Sequence, residues 1–322
     1  MNTDHKTLAR MMFKLRVLTS VGQAYEDLFT EIMGYARPSF VQIKPQGQFG
    51  DRKNDGYVKD EGHYYQVYAP ENPTADQSQQ KTVTKLKTDF SGLKKHWQKT
   101  CPIKRFSFTF NDKYHGSFPT IEADLAAIKT KHDLLSCDCL LAKHLEDLMF
   151  SLSDDQIFTV LKGMPPDPTN ITSINFTILR EVIDEIIKKA QGPSIEGALN
   201  VPDFSDKIKF NGLSVATGAL LVVGSYQAGE IDAYFARNST FAKQQLRDHL
   251  NSIFATAKGS IPMADAKGVS HADLVFFKIL ADICPEKSRL HTDAALVVMA
   301  YFFESCDIFA DPAQANSNMA RT

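Results

Sequence analysis

The sequence predicts an α/β domain followed by a mainly α-helical C-terminal domain, and three observations support that order. Aromatic residues alternate with polar ones from Arg105 to Phe110, which is the period of a half-buried strand. Helical periodicity appears on both sides of several short strand-like runs, over residues 8–33 and 81–99. From about residue 134 the pattern is mostly helical, and 322 residues are enough for two domains.

In chain order, the N-terminal part predicts a helix, three short strands, a helix, a strand and a helix. Pro38 ends the first helix because proline cannot continue it. Polar, glycine-containing turns separate the three short strands. The predicted elements cover 8–33, 40–43, 56–58, 64–68, 81–99, 105–110 and 119–132.

The C-terminal part predicts helices joined by proline- and glycine-containing breaks. Residues 134–150, 174–190, 240–257, 271–282 and 290–304 read as helices, and 208–210 as a short strand. The glycines and prolines between Gln191 and Phe204 make that stretch the best linker candidate. We therefore predict three segments, which are a domain over 1–135, a helical connector and linker over 136–199, and a helical interaction domain over 200–322.

Composition and charge narrow the class of protein. Hydrophobic content of 43% and charged content of 23% are globular values, and no apolar run is long enough to span a bilayer. The N-terminus has no apolar segment typical of a secretory signal. Five scattered cysteines, with Cys137 and Cys139 read as helix residues, imply no disulfide framework and favour the cytoplasm.

Charge is unevenly spread along the chain. Residues 1–135 hold 20 Lys and Arg residues against 15 Asp and Glu residues, whereas residues 136–322 hold 16 against 23. The net charges are +5 and −7, within a total of −2. A mildly basic N-terminal part is compatible with a nucleic-acid backbone as partner, although such an asymmetry also occurs on ordinary solvated surfaces.

The candidate catalytic residues lie between Gly47 and Glu71. A metal-dependent nuclease of the PD-(D/E)xK type, which has a restriction-endonuclease-like core, needs an Asp where one strand begins. It also needs an acidic or amide residue on the neighbouring strand and a Lys two residues later, on the same face. Asp55 fits the first role, and Gln66 and Tyr68 occupy the other two positions. Oxygen ligands of this kind suit Mg²⁺.

Tyr68 departs from the pattern, because a phenol is neutral near pH 7 and cannot replace an ammonium group. Lys53 is a substitute cation, and Arg52, Lys85 and Lys87 are further ones. Glu26, on the first helix, is a candidate third ligand. Each residue also has a structural interpretation, with Asp55 in a turn, Gln66 as a core-edge amide and Glu26 as a solvated helix residue.

Other chemistries find no support in the 322 residues. The sequence has no GxxxxGK[ST] phosphate-binding loop, no GxSxG motif and no HExxH motif. ATP hydrolysis by this chain is therefore not expected.

Five strings resemble proteins of the bacterial ABC-three-component (ABC-3C) conflict systems. They are GDRKNDGY (50–57), YYQVYAPE (64–71), TDFSGLKKHW (88–97), KIKFNGLS (207–214) and MAYFFESCDIF (299–309). The resemblance implies antiphage defence by an ABC-type ATPase, a middle component and an effector, with this chain as a non-ATPase component. It also implies a divergent restriction-endonuclease-like N-terminal domain that shares the tyrosine at position 68. The two alternatives are a Mg²⁺-dependent DNA nuclease and a degenerate nuclease fold that binds nucleic acid or protein.

Overall fold

The computed structural model describes residues 1, 3–45, 47, 50–163, 165–166, 175–189, 204–237, 240–262, 269–284, 286, 288–305 and 308–310. Contacts between Cα atoms divide the chain into two units. We call residues 16–160 the α/β unit, and residues 1–15 together with 161–322 the helical unit.

The α/β unit contains one mixed sheet of five strands in the order β1-β2-β3-β4-β5. Strand β1 pairs antiparallel with β2, and β2 antiparallel with β3, whereas β3, β4 and β5 run parallel to one another. The elements are α2 (Gln23–Ala36), β1 (Phe40–Gln42), β2 (Gly56–Val58), β3 (His63–Tyr68), α3 (Asp76–Trp97), β4 (Arg105–Phe110), α4 (Pro119–His132), β5 (Ser136–Leu141), α5 (Ala142–Phe150) and α6 (Asp154–Leu161). Helix α1 (Thr3–Thr19) contributes its last residues to this unit.

Aromatic side chains fill both sides of the sheet. Phe106, Phe108 and Phe110 lie in one cluster with buried residues of α3 and α4. On the other face, Tyr65 contacts Phe29 of α2. Strand β4 is therefore more buried than the half-buried strand that we predicted, because helices cover both faces of this parallel part of the sheet.

The helical unit packs its helices around α13 (Arg289–Glu304), which contacts α7 and α9. A Cβ atom on Gly224 would lie 2.9 Å from Ala300 Cβ, so the close approach of α9 and α13 requires glycine there. The other elements are α7 (Phe176–Lys189), α8 (Phe204–Phe210), α9 (Val215–Ser225), α10 (Ala228–Arg237), α11 (Thr240–Ser260) and α12 (His271–Ile283).

Three element predictions were wrong. The helix over 8–33 is two helices, because Gly22 adopts φ 53° and ends the run. The predicted helix over 134–150 contains strand β5, so both Cys137 and Cys139 lie on a strand. Pairing with β4 outweighs the local helical pattern there, and the sheet thus continues past residue 135. The predicted strand over 208–210 is the end of helix α8.

Other predictions agree more closely with the structure. Helix α4 spans the predicted 119–132, whereas α3 begins five residues before the predicted position 81. The predicted linker from Gln191 lies outside the described residues up to position 203. In the part of the chain that the structure describes, no helix is long and apolar enough to cross a membrane.

Candidate functional site

A short loop before β2 positions Asp55 beside β3. The Asp51 Oδ1 atom accepts a 2.7 Å hydrogen bond from Lys53 N, and Asn54 Oδ1 accepts one of 3.1 Å from Gly56 N. Glycine is required at position 56, because a Cβ there would lie 2.2 Å from the Phe40 ring. The loop places Asp55 one residue before Gly56, which pairs with Tyr65 on β3.

Asp55 and Gln66 meet as the sequence predicted. The Asp55 Oδ2 atom accepts hydrogen bonds from Gln66 Nε2 at 2.8 Å and from Val67 N at 2.5 Å. Both side chains are buried, with exposed fractions of 3% for Asp55 and 4% for Gln66. The contact joins β2 to β3 in the interior of the α/β unit.

Two oxygen atoms of this pair receive no hydrogen bond. The Gln66 Oε1 atom is buried without a partner among the described residues. The hydrogen bonds to the Asp55 carboxylate both go to Oδ2, so no described residue donates to its Oδ1 atom. A buried acceptor without a donor is costly, and a bound cation or water is the usual partner of such an atom.

Burial raises the pKa of Asp55 to about 7. The negative charges of Glu26 and Asp51 raise it further, whereas the Val67 N–H group and the positive charge of Lys85 lower it. Glu26 lies half-buried on α2, and its influence on the pKa of Asp55 comes from its charge. The negative charges around Asp55 therefore disfavour its ionised form, and a cation placed beside it would favour that form.

Tyr68 packs against aromatic residues of β4. Its ring stacks on Phe108 and Phe110, with centroid distances of 6.4 Å to each. Tyr68 therefore faces the α3 side of the sheet, opposite to Tyr65, as the strand period predicted. The Lys85 Nζ atom lies 5.5 Å from the centroid of the Tyr68 ring, so α3 supplies a cation beside it.

A buried carboxylate that sequence reasoning missed organises two lysines. Asp89 on α3 is 2% exposed, and its oxygens lie 3.0 Å from Lys53 Nζ and 2.5 Å from Lys85 Nζ. Asp89 raises the pKa of Lys53 through a hydrogen bond and its charge. The i, i+4 spacing of Lys85 and Asp89 was the signal in the sequence.

The stem of Lys53 reaches Asp89 across Gly92. A Cβ atom on Gly92 would lie 2.8 Å from Lys53 Cγ. Arg52 and Lys53 both have positive φ angles, of 53° and 64°, which are uncommon for residues with a side chain. The conformation that sends Lys53 to α3 is therefore strained, as residues at functional sites often are.

The two lysines line an open groove of about 510 Å³ along α3. Its lining consists of Lys53, Gln77, Gln80, Lys81, Thr84, Lys85, Thr88 and Asp89. A second groove of about 670 Å³ between α3 and α4 has more balanced charge, since Lys87 pairs with Asp124 at 3.0 Å. In the described residues, no group of three or more His, Cys, Asp or Glu side chains is arranged to hold a metal.

A separate polar cluster involves His63. Its Nε2 atom lies 2.8 Å from Ser107 Oγ, and its Nδ1 atom lies 3.1 Å from the Tyr65 hydroxyl. Burial lowers the pKa of His63 to about 4, so the imidazole is neutral at physiological pH. This cluster ties β3 to β4, which makes His63 a core-edge residue.

In the helical unit, two of the strings that suggested a family contact each other. The buried Lys207 Nζ atom donates hydrogen bonds to the carbonyl oxygens of Phe303 and Ile308, at 2.5 and 2.9 Å. Asn211 Nδ2 donates to Ala310 O at 2.9 Å, and Ala310 N donates to Asn211 Oδ1 at 2.8 Å. These contacts fasten α8 to the chain that follows α13.

Residues 177–310 match the family model of C-terminal domain 10 (CTD10) of the ABC-three component (ABC-3C) systems. The C-terminal part of the chain is therefore similar to an ABC-3C C-terminal domain. The match supports membership of an ABC-3C system, which is a bacterial conflict and defence system, and thus implies other components of that system. No curated protein and no solved structure matches the chain.

The matched range contains the strings at 207–214 and 299–309 and ends before residue 311. The ABC-3C resemblance of the C-terminal strings is therefore supported by the family match. The strings at 50–57, 64–71 and 88–97 lie outside the match, and their meaning depends on the geometry around Asp55 and Asp89.

Proposed function

We propose that this ABC-3C component is the effector of an antiphage defence system and a Mg²⁺-dependent DNA nuclease regulated by a partner ABC-type ATPase. The observation that carries the proposal is the pair of acceptor oxygens, Asp55 Oδ1 and Gln66 Oε1, that receive no hydrogen bond from a described residue. The restriction-endonuclease-like core, the middle component as a further partner and a cytoplasmic location belong to the same proposal. The chain has no phosphate-binding loop, so ATP hydrolysis is assigned to the partner.

In this proposal, Asp55 and Gln66 would hold a magnesium ion, with Glu26 as an additional carboxylate, since oxygen ligands suit that ion. When bound, the ion supplies positive charge to the phosphodiester and activates water. Loss of the proton from Asp55, whose pKa burial raises to about 7, prepares that carboxylate for the cation.

The lysines of the site supply the charge that Tyr68 cannot. Lys85 is adjacent to the Tyr68 ring, and its positive charge lowers the pKa of Asp55. Its ammonium group would therefore interact with a phosphate bound beside the Asp55 carboxylate. Lys53 is held beside it by Asp89. We assign to these two side chains the stabilisation of charge on the phosphate, with Lys85 in the role usually held by a lysine on β3.

The experiment is cleavage of plasmid DNA by the full chain, purified together with its ATPase and middle component, in Mg²⁺ or in EDTA. We expect cleavage only with Mg²⁺, and Asp55→Asn to lower its rate by about a thousandfold, or roughly 4 kcal/mol. Asn preserves the shape of the buried side chain, whereas Ala would leave a gap. Asp60→Asn, at an exposed carboxylate, is the matched control. Equal rates for the two variants would contradict the assignment of Asp55.

A second candidate function is a degenerate nuclease fold that binds nucleic acid or a partner protein without cutting. Two observations favour it, namely the packing of Tyr68 against Phe108 and Phe110 and the burial of Asp55. DNA binding without cleavage, in the presence of both partners and Mg²⁺, would support this candidate over the first.

A further inference from the structure

The groove along α3 differs from its neighbour in charge. Three lysines line it, and Asp89 is the one carboxylate in its lining. Lys81 is exposed, and no carboxylate of a described residue is paired with it. In the neighbouring groove Lys87 is matched by Asp124, and Asp76 adds another negative charge. One side of α3 therefore presents a surplus of positive charge, and the other does not.

We propose that the α3 groove binds the phosphodiester backbone of DNA, with Lys53, Lys81 and Lys85 as the phosphate contacts and Asp89 as the residue that positions two of them. This inference rests on the proposed function, and it assigns the face of the α/β unit along which the nucleic acid lies. Lysine ammonium groups recognise phosphate as point charges, which makes the contacts independent of base sequence.

Asp89 gives the groove a defined geometry. A lone surface lysine samples many rotamers, whereas Lys53 and Lys85 are both held against one carboxylate that is 2% exposed. Two cations on one anion leave a net positive charge of one at this point. A phosphate oxygen that approaches both ammonium groups neutralises that charge without displacing Asp89.

The groove also adjoins the candidate catalytic residues. Lys53 lies two residues before Asp55 in the same loop, and Lys85 Nζ lies 5.5 Å from the centroid of the Tyr68 ring, on the strand that carries Gln66. A backbone that contacts Lys53 and Lys85 therefore passes along the elements that carry the candidate catalytic residues. The threonines and glutamines of the lining, Gln77, Gln80, Thr84 and Thr88, add neutral polar groups that suit a solvated backbone.

The test is fluorescence anisotropy of a labelled DNA duplex titrated with the full chain in EDTA, so that binding is measured without cleavage. Lys53→Gln/Lys81→Gln removes two contacts and leaves Lys85 to pair with Asp89. Lys87→Gln/Lys95→Gln changes the net charge equally on the same helix but outside the groove. We expect the first variant to weaken binding by about tenfold or more and to reduce the salt dependence by about one unit per lost contact, and the second to weaken binding by less than about threefold.

Asp89→Asn separates a positioned site from a diffuse charge effect. This variant makes the chain more positive by one unit, so general attraction to DNA would increase. The positioned site predicts weaker binding instead, because Lys53 and Lys85 lose the carboxylate that holds them. Circular dichroism is used to check that Asp89→Asn is folded. The lysine variants test the groove independently of Asp89→Asn.

Each result has a distinct meaning. Equal losses for the two double-lysine variants, or tighter binding by Asp89→Asn, would overturn the groove assignment. An RNA duplex is titrated in parallel, and binding of RNA alone would overturn DNA as the ligand. Binding through the groove without cleavage in Mg²⁺ would preserve this inference and contradict the nuclease proposal. Normal cleavage by Lys53→Gln/Lys81→Gln would contradict both the groove and the role of Lys53 in cleavage, and would leave the assignment of Asp55 standing.

Discussion

Buried polar groups serve different purposes in the α/β unit and the helical unit. In the α/β unit, Asp55 and Gln66 hold oxygen atoms that no described residue satisfies, and Asp89 is outnumbered by two lysines. In the helical unit, Lys207 and Asn211 donate hydrogen bonds to main-chain carbonyl oxygens. The helical unit also contains a buried carboxylate oxygen without a hydrogen-bond partner among the described residues, Asp273 Oδ2, so an unsatisfied atom alone does not mark a ligand site. The difference between the units is the pair of lysines gathered on Asp89, and it directs tests of ligand binding to the α/β unit.

The largest expected effect on stability concerns Lys207 in the helical unit. Lys207→Met keeps most of the side-chain length but removes the donors to Phe303 O and Ile308 O. The carbonyl of Phe303 in α13 and that of Ile308 beyond the helix then lack this partner, and we expect a loss of about 3 kcal/mol or more. Urea denaturation measures the loss, and hydrogen exchange of the α13 amides locates it.

The control for that variant is Lys209→Met, two residues away and exposed. We expect its stability to stay within about 0.5 kcal/mol of the wild type. Should Lys207→Met be as stable as the control yet lose defence in cells, Lys207 would have a functional rather than an architectural role, and the contrast between the units would fail.

A second prediction concerns acid sensitivity of the α/β unit. The pKa of His63 is lowered to about 4 in the folded state from 6.5, so the folded state disfavours its protonation. Its contribution to stability is therefore fully present above pH 6.5 and is lost as pH falls towards 4. A shift of this size corresponds to roughly 3 kcal/mol. His63→Gln, which retains a polar group near Ser107, should lose less stability between pH 7 and pH 4.5.

Thermal denaturation across this pH range provides the measurement for His63. The exposed His115 supplies the control, and His115→Gln should follow the wild-type profile. A His63→Gln profile that coincides with the wild type would mean that burial of this imidazole has no thermodynamic consequence. The His63–Ser107 contact between β3 and β4 would then be weaker than its hydrogen bond suggests.

Local sequence patterns predicted most elements of the α/β unit. They did not predict elements whose structure depends on pairing with a strand that is distant in sequence. Alternating aromatic residues identified β4, and Pro119 marked the start of α4. The helix predicted over the residues of β5 is wrong because these six residues become a strand only through parallel pairing with β4, which is distant in sequence. The break at Gly22 depends on a positive φ angle. A single glycine in a helical pattern does not predict such an angle.

The candidate site was partly predictable for the same reason. Strand period and motif order correctly predicted that Asp55 and Gln66 meet, since Asp55 directly precedes β2 and Gln66 lies on β3, which pairs with β2. Asp89 was missed because its burial depends on how α3 packs, and because its partner Lys53 comes from a loop far away in the sequence. The catalytic roles of Asp55, Gln66, Glu26, Lys53 and Tyr68 stay predictions.

The smallest expected effect tests whether the position of Lys53 matters. Gly92→Ala replaces a helical glycine, which by itself stabilises a helix by about 1 kcal/mol. The new Cβ would lie 2.8 Å from Lys53 Cγ, so the lysine stem must move away from Asp89. Because Lys53 is 44% exposed, its ion pair adds little to stability, and the net change should stay within about 1 kcal/mol. Affinity for the DNA duplex should nevertheless fall about threefold, since one phosphate contact loses its position.

Gly34→Ala is the matched control for this last variant. Gly34 lies in helix α2, and a Cβ there has no neighbour within 4 Å, so the substitution brings the helical benefit without touching Lys53. Urea denaturation and anisotropy titration are measured on both variants. If Gly92→Ala binds DNA as tightly as Gly34→Ala, the orientation of Lys53 by Asp89 has no role in binding. The surplus charge of the α3 groove would then act only diffusely, and the α/β unit would differ less from the helical unit than the two lysines on Asp89 indicate.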